Sequence, residues 1–263
     1  MIATPERFLR TRSIRLWWPQ RSAEIFPYLR RYPTVTVMQC SDAIASDLAD
    51  LSFRTKPFHT SLLDLTSTEE QLWSGLSKKS CRYEINRARK TVHKIIVNER
   101  RGEARHLLNS FIERSRYRKP ISIREWDDLL ANCDVFVIEH DDEIVAAHVL
   151  LRDIPDRVRL LLSATTARTD PAQRSIVGAL NRALHWEELL HYKGLGTQCF
   201  DFGGVDLAGD PALLSISRFK LSFGGPVVKE NRLRLAGNAA LRSALRGAIQ
   251  ARSAWRRGAG REG

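Results

Sequence analysis

The fold is decided by the stretch Phe200-Asp201-Phe202-Gly203-Gly204-Val205-Asp206, taken together with Phe219-Lys220-Leu221-Ser222-Phe223-Gly224-Gly225 further along the chain. Each stretch combines aromatic residues, a charged residue and a glycine pair. Glycine adopts positive φ without the steric cost that other residues meet, so both pairs suit sharp turns close to a ligand. The pattern predicts a strand end and a tight loop that lie against each other, with Phe219 and Lys220 on the loop. Ordinary turn chemistry would explain either pair alone.

Size and composition indicate a soluble globular protein with one large or two small domains. The chain has 263 residues, of which 43% are hydrophobic and 27% charged. No apolar run approaches the roughly 18 residues that span a bilayer, and the N-terminus lacks a hydrophobic signal core. We therefore expect a cytoplasmic protein. The four cysteines are scattered without metal-ligand spacing, so we expect reduced structural thiols and no bound metal.

The positive charge is concentrated in two parts of the chain. The net charge is +12, and residues 78–119 hold fourteen basic and four acidic residues. Residues 229–263 hold nine basic and two acidic residues. A polyanionic partner would fit such surfaces: the phosphates of a nucleotide or coenzyme, a nucleic acid such as tRNA, or an anionic membrane. A solvated basic face is the alternative.

Hydrophobic patterning predicts a mixed α/β (α+β) fold. Residues 135–139 and 144–151 form a predicted hairpin, and 157–163 a third strand. A long helix is predicted from Pro171 to about Gly194, because proline favours the first helical position. Residues 197–202 then form a further strand.

Helices are predicted in the region before this sheet and at the end of the chain. The Thr66-x-x-Glu69 pattern predicts a helix start. A basic helix is predicted over 78–90, with Cys81, Ile85 and Ala88 on its apolar face. From residue 238 onward, apolar residues repeat on one helical face and arginines surround them. Such a helix could lie on an anionic membrane or cap the domain.

The motifs resemble those of the FemAB-like branch of the GNAT acyltransferases. That branch commonly shows "DFGG", here at 201–204, followed by "FKxxFGG", here at 219–225. Residues 60–65 and 76–90 resemble its "IDL … KxRxxIRKAxK" entry to the catalytic half. The resemblance covers about residues 60–230, and it implies a GNAT-like, largely antiparallel sheet flanked by helices. It also implies a reduced N-terminal segment (1–59) and a catalytic domain (60–235), while the residue pattern near the end of the chain predicts a basic amphipathic helical tail (236–263).

The resemblance implies catalytic roles for three residues. Lys220 would stabilise negative charge on the acyl group, since a fixed cation in a water-poor site stabilises an oxyanion strongly. Phe219 would shape the pocket and stack on the lysine through a cation–π contact. Asp201 would orient the amine nucleophile or accept its proton, unless it only satisfies the N–H groups of the turn.

Further residues are candidates for binding the substrate or a coenzyme. His148 interrupts an apolar strand, either as a base or as a satisfied buried histidine. The stretch Gln173 to Gly178 weakly resembles the GNAT loop that holds the coenzyme A pyrophosphate, but its first glycine is missing. The full set of substrate-binding candidates is Arg82, Arg116, His148, Gly203, Gly204 and Asp206, and the coenzyme candidates are Gln173, Arg174 and Gly178.

The resemblance predicts an N-acyltransferase with no permanently bound cofactor. The donor would be acyl-CoA, and the acceptor the amine of an amino sugar or another cell-envelope precursor on a nucleotide or lipid carrier. Two alternatives stay open. One is an aminoacyl-tRNA-dependent transferase of the FemAB type, and the other a non-catalytic protein that binds anionic surfaces, for example at the inner face of the membrane.

Overall fold

A computed structural model describes residues 1–8, 11–115, 119–207, 209 and 211–259. The strands are β1 (Ile2–Phe8), β2 (Thr11–Trp17), β3 (Thr34–Cys40), β4 (Ser52–Asp64), β5 (Lys94–Val97), β6 (Cys133–His140), β7 (Glu143–Asp153), β8 (Arg157–Thr165), β9 (Cys199–Gly204) and β10 (Val227–Leu235). The helices are α1 (Phe26–Arg31), α2 (Asp42–Asp47), α3 (Glu69–Gly75), α4 (Tyr83–Ala88), α5 (Arg101–Ser115), α6 (Ile123–Leu130), α7 (Pro171–Gly194), α8 (Pro211–Leu221) and α9 (Ala239–Ala259).

The chain divides into two compact units. One contains residues 1–58 together with 229–263, and the other contains residues 59–228. Both β4 and β10 pass from one unit into the other along the chain. The assignment of a catalytic role to residues 60–235 stays a prediction.

The unit of residues 59–228 has the predicted mixed sheet, and the predicted fold class is confirmed. Its strands follow the order β4-β9-β8-β7-β6-β5 and pair antiparallel, except that β8 and β9 are parallel. The predicted hairpin is β6–β7, and its turn residues Asp141 and Asp142 both have positive φ. Helix α7 supplies much of the core, with Leu180, Leu184 and Trp186 fully enclosed.

The start of α3 differs by two residues from the sequence prediction. Thr68, not Thr66, is the N-cap, and it forms a reciprocal capping box with Gln71. Thr66 instead bonds to the carboxylate of Asp64 in the preceding turn. The prediction found the right motif but chose glutamate over glutamine as the third residue, although either side chain can return the hydrogen bond.

The basic segment over 78–90 is helical in two parts. A π-helical turn spans Lys78–Arg82, and α4 follows it directly. The predicted apolar face is confirmed, because Cys81, Ile85 and Ala88 are all buried. This face packs into the core of the unit, which leaves the basic side chains on the other faces.

The other unit has its own core. Its strands follow the order β1-β2-β3-β10-β4, with β2 and β3 parallel. Leu245 of α9 is buried with Phe53 and Ala236, and Leu241 and Ile249 pack against the same cluster. Over residues 241–249 the apolar face of α9 therefore packs within this unit, as the capping alternative predicts. Among the described residues, no helix combines the length and apolarity needed to cross a membrane.

Candidate active site

The two glycine-rich segments meet at the end of β9, as the sequence predicted. Gly203 has φ +79° and Gly224 has φ +93°, so both turns require the left-handed backbone region. The rings of Phe202 and Phe223 stack with centroids 4.8 Å apart. Lys220 lies on the last turn of α8 rather than on the predicted loop, and this helix carries it to the strand end.

The ammonium group of Lys220 lies in a partly buried position. Its Nζ donates a hydrogen bond to the carbonyl oxygen of Gly204 across 2.7 Å. Burial, together with repulsion from Arg159, lowers the pKa of Lys220 to about 8, although the carboxylate of Asp201 acts in the opposite direction. The group is therefore a cation at neutral pH that water screens little.

Asp201 is fully buried on β9, three residues before the strand ends. Its Oδ2 accepts hydrogen bonds from Arg157 at 2.7 Å and from Arg159 at 2.9 Å. Its Oδ1 accepts from the hydroxyl of Thr60 and, at 2.7 Å, from the backbone N–H of Gly203. Two ion pairs and two further donors suit a carboxylate that stays charged and fixes the turn, rather than one that accepts a substrate proton.

The cation over the Phe219 ring is Arg182, not the predicted Lys220. The guanidinium carbon of Arg182 lies 4.3 Å from the ring centroid. Burial lowers the pKa of this guanidinium from its usual value. The correction has a simple cause: consecutive residues on a helix point in directions about 100° apart, so Phe219 and Lys220 cannot face each other.

A cavity of about 330 Å³ lies beside Phe219. Its lining residues come from α4, from the end of β8, from successive turns of α7 and from α8. The lining residues are Glu84, Thr165, Ser175, Gly178, Asn181, Arg182 and Phe219. The cavity thus offers one carboxylate, one guanidinium, one amide and two hydroxyl groups, a set that suits a polar acyl group or its acceptor.

His148 is the centre of a buried polar network. Its Nδ1 contacts Glu188 Oε1 at 2.5 Å, and its Nε2 contacts Asn181 Oδ1 at 2.9 Å. The second oxygen of Glu188 contacts Nδ1 of His185 at 2.9 Å. Burial raises the pKa of Glu188, but the charges of His148 and His185 outweigh it and hold the pKa below its usual range. Burial, with repulsion from His148, lowers the pKa of His185 to about 4.

This network has metal-binding residue types but not the geometry of a metal centre. Ligand atoms of His148, His185 and Glu188 lie within 4.8 Å of one another. The two imidazole rings, however, stack with centroids 4.1 Å apart and planes inclined by 18°. An ion bound through both nitrogen lone pairs would have to lie in both ring planes, and stacked rings have no such point nearby. The contacts fit hydrogen bonds among these groups.

The coenzyme candidates lie on the first three turns of α7. Gln173 and Arg174 are exposed there, and Gly178 lines the cavity. The N-terminus of α7 is capped by Asp170, whose carboxylate accepts a hydrogen bond from the N–H of Gln173 at 2.8 Å. A helix N-terminus attracts phosphate, but here one N–H is already occupied by an anionic side chain.

The remaining candidates have different surroundings. Arg82 ends the π-helical turn and is half-buried. The backbone N–H of Asp206 donates a hydrogen bond to the hydroxyl of Ser217 at 2.7 Å. Gly203 closely approaches Arg159, since a Cβ there would lie 3.1 Å from its guanidinium. Arg116 lies outside the described residues. The structure thus joins Lys220, Gly204 and Asp201 at one strand end.

Sequence reasoning missed several residues of this site. They are Thr60, Glu84, Arg157, Arg159, Asn181, Arg182, His185 and Glu188. One signal was available, because Asn181, His185 and Glu188 are spaced to share one face of α7 that otherwise carries apolar residues. A histidine inside an apolar strand needs polar partners. The polar residues on this face of α7 could therefore have been predicted to contact His148.

Known structures share this fold. FemX superposes with a TM-score of 0.69 at 10% identity, over 93% of this chain and 86% of FemX. The C-terminal domain of an Agrobacterium fabrum protein described as a lysylphosphatidylglycerol synthetase gives 0.62 at 16% identity, over 94% and 84% of the two chains. L-PGS from Bacillus licheniformis gives a TM-score of 0.58 at 15% identity, over 92% and 83%.

These comparisons confirm, at the level of the fold, the resemblance to the FemAB-like branch. No protein-family model matches the chain, and no curated protein sequence matches it.

Proposed function

We propose that this chain transfers an acyl group from an activated donor to an amine. The observation that carries the proposal is Lys220, a partly buried cation that bonds to Gly204 at the strand end and adjoins Phe219, which lines the cavity. In the proposed reaction the amine nitrogen attacks the acyl carbonyl, and the oxygen becomes negatively charged. Lys220 stabilises that charge until the bond between the acyl carbon and the donor's sulfur or oxygen breaks, and the proton of the amine passes to this leaving group. The reaction needs positioning and charge stabilisation but no covalent nucleophile.

The first donor proposed is acyl-CoA. Gln173, Arg174 and Gly178 would then hold its pyrophosphate beside the cavity, and no cofactor would be bound permanently. The acceptor proposed is an amino sugar or another cell-envelope precursor on a nucleotide or lipid carrier. The chain would bind both the donor and the acceptor in the cytoplasm, and it would bind lipid-linked acceptors at the inner membrane surface.

A second candidate is transfer of an aminoacyl group from tRNA. Two observations favour it. The carboxylate of Asp170 occupies the α7 terminus, where it would repel a pyrophosphate. The segment of fourteen basic and four acidic residues over 78–119 suits an RNA backbone. One similar structure is described as a lysylphosphatidylglycerol synthetase, so an anionic phospholipid is an acceptor to include.

Ligand-dependent thermal unfolding tests the proposal and separates the donors. The purified chain is heated alone, with acetyl-CoA or longer acyl-CoAs, and with aminoacylated or deacylated tRNA. A ligand at 100 times its dissociation constant adds about 2.7 kcal/mol, which raises the midpoint by about 5–10 °C for a chain of this size.

A shift with acyl-CoA supports the first donor. A shift with aminoacylated tRNA that exceeds the shift with deacylated tRNA supports the second. No shift with any donor would contradict acyl transfer and favour a binding protein that keeps the fold without turnover.

A further inference from the structure

Asn181 is a buried polar residue of the cavity wall. It is 8% exposed, lies on α7 and lines the cavity beside Arg182 and Phe219. Its Oδ1 is bonded to Nε2 of His148 at 2.9 Å. Within the part of the chain that the structure describes, this is the hydrogen bond that the Asn181 side chain makes, and its Nδ2 amino group is not among the enclosed polar atoms. The amide therefore has one end held by the protein and the other end open to the cavity.

The protonation of His148 follows from its two partners. Nδ1 lies 2.5 Å from a carboxylate oxygen of Glu188, which accepts hydrogen bonds and donates none when ionised. Nε2 lies against an amide oxygen, which also only accepts. With both partners accepting, this hydrogen-bond arrangement is complete when both ring nitrogens carry protons, which makes His148 an imidazolium paired with a buried carboxylate. The pair is electrically balanced, as buried charges in proteins usually are.

His185 fixes the carboxylate from the other side. Its Nδ1 lies 2.9 Å from the second oxygen of Glu188, and its ring stacks on His148 at 4.1 Å. Because both carboxylate oxygens are held, Glu188 cannot rotate away from His148. The orientation of His148 is then fixed, and so is the end of the Asn181 amide that it binds.

We propose that the Glu188–His148 pair locks the amide of Asn181 with its amino group towards the cavity, where it donates a hydrogen bond to an oxygen of the bound acyl group. This inference rests on the proposed acyl transfer for the identity of the ligand. Asn181 is the binding residue, and His148, Glu188 and His185 are positioning residues. A neutral His148 with a free lone pair on Nε2 would instead bind the amino group of Asn181 and turn its oxygen to the cavity.

Nitrogen NMR of the histidine rings tests the proposed orientation of the Asn181 amide without any substrate. The 15N-labelled chain is compared with His148→Gln and His185→Gln, so that the signals of both rings are assigned by their loss. We expect His148 to show protons on both nitrogens at pH 7, and His185 to show one, on Nδ1. A neutral His148 ring with an unprotonated Nε2 would overturn the proposed orientation of Asn181.

A double-mutant cycle tests whether His148 acts through Asn181. Asn181→Asp keeps an acceptor for His148 but removes the amino group, so kcat/KM for the donor should fall by about 10- to 100-fold, the effect of losing one good hydrogen bond. His148→Gln alone should lower kcat/KM, but it should add little once Asn181→Asp is present. Independent losses that multiply would overturn the positioning role.

Thr165→Val is the matched control for this cycle. Thr165 lines the same cavity, and in the described structure the hydrogen bonds of His148 go to Glu188 and Asn181 and not to Thr165. Its effect on kcat/KM should multiply with that of His148→Gln. Thermal midpoints of all variants identify any that fail to fold. An absence of transfer by the wild-type chain would overturn the proposed function and with it the acyl ligand, whereas the NMR result would still decide the orientation of the amide.

Discussion

Lys220 Nζ donates a 2.7 Å hydrogen bond to the carbonyl oxygen of Gly204, and so joins the last turn of α8 to the end of β9. Both glycine-rich segments take part in this contact, since Gly204 belongs to the first and Lys220 to the second. The turn at Gly203 directly precedes the Gly204 carbonyl, and the turn at Gly224 follows the helix that carries Lys220. A cation held in this way can respond to charge on a neighbouring acyl oxygen without the solvent having to reorganise.

Transfer activity should fall as the pH rises through about 8. Burial lowers the pKa of Lys220 to about 8, so the stabilising cation is lost above that pH. The alkaline limb of kcat/KM reports the free protein and should therefore have an apparent pKa close to 8. A rate profile from pH 6 to 10 measures it. Lys220→Arg stays charged over this range and should lack that limb, even if its rate is lower.

Acid should destabilise the chain partly through His185. Burial lowers the pKa of His185 from 6.5 to about 4, so between these values the unfolded chain binds a proton that the folded chain does not. The free energy of unfolding should then fall with decreasing pH, by about 1–2 kcal/mol between pH 6.5 and 5. Urea unfolding at both pH values measures this. His185→Gln removes the titrating group, so its free energy of unfolding should differ less between the two pH values. An equal difference in the wild-type and variant chains would contradict this role of His185.

Two glycine-to-alanine substitutions should have opposite effects on stability. At Gly224, with φ +93°, a Cβ would lie 2.6 Å from the carbonyl oxygen of Gly75. Gly224→Ala should cost about 1–3 kcal/mol. At Gly178, inside α7, a Cβ meets nothing within 4 Å, so Gly178→Ala should stabilise by about 0.5–1 kcal/mol through helix propensity. Denaturant unfolding of both variants checks the signs, and a stabilised Gly224→Ala would contradict the turn geometry.

Asp170→Asn should distinguish the two donors. Asparagine still caps α7 but removes the negative charge from its N-terminus. If coenzyme A binds there, its affinity should rise by about 2- to 5-fold, the size expected of one charge near a helix terminus. Aminoacyl-tRNA affinity at that site should not change. Titration of both donors against wild-type and variant protein measures the difference, and an unchanged acyl-CoA affinity would argue against pyrophosphate binding at α7.

The sequence predicted the part of the fold whose signals are local. The β6–β7 hairpin alternates and ends in a polar turn, and α7 begins with proline at its first turn, so both were predicted close to their observed bounds. Helix α8 was not predicted, because its serines and flanking glycines are typical of a loop. Packing of Phe219 against Phe223 and His185 stabilises it instead. The edge strand β1 contains a proline and charged residues, which hide its pattern.

The candidate site was only partly predictable, because its chemistry depends on contacts distant in sequence. Lys220 and Asp201 stand in recognisable motifs. Their surroundings come from β4 and β8, and no spacing in the sequence places Arg157 and Arg159 on the same carboxylate. His148 was recognised as exceptional in its strand, but its charge state became clear only from Glu188 and Asn181, forty and thirty-three residues away.

Single-turnover transfer by Lys220→Met tests the central claim most directly. Methionine fills similar space without the charge, and Lys220→Arg serves as the charged control. With the donor that stabilises the wild-type chain, we predict that Lys220→Met binds the donor but transfers about 10²- to 10³-fold more slowly, the effect of removing one group that stabilises an oxyanion. Transfer at the wild-type rate by a folded Lys220→Met chain would contradict the account.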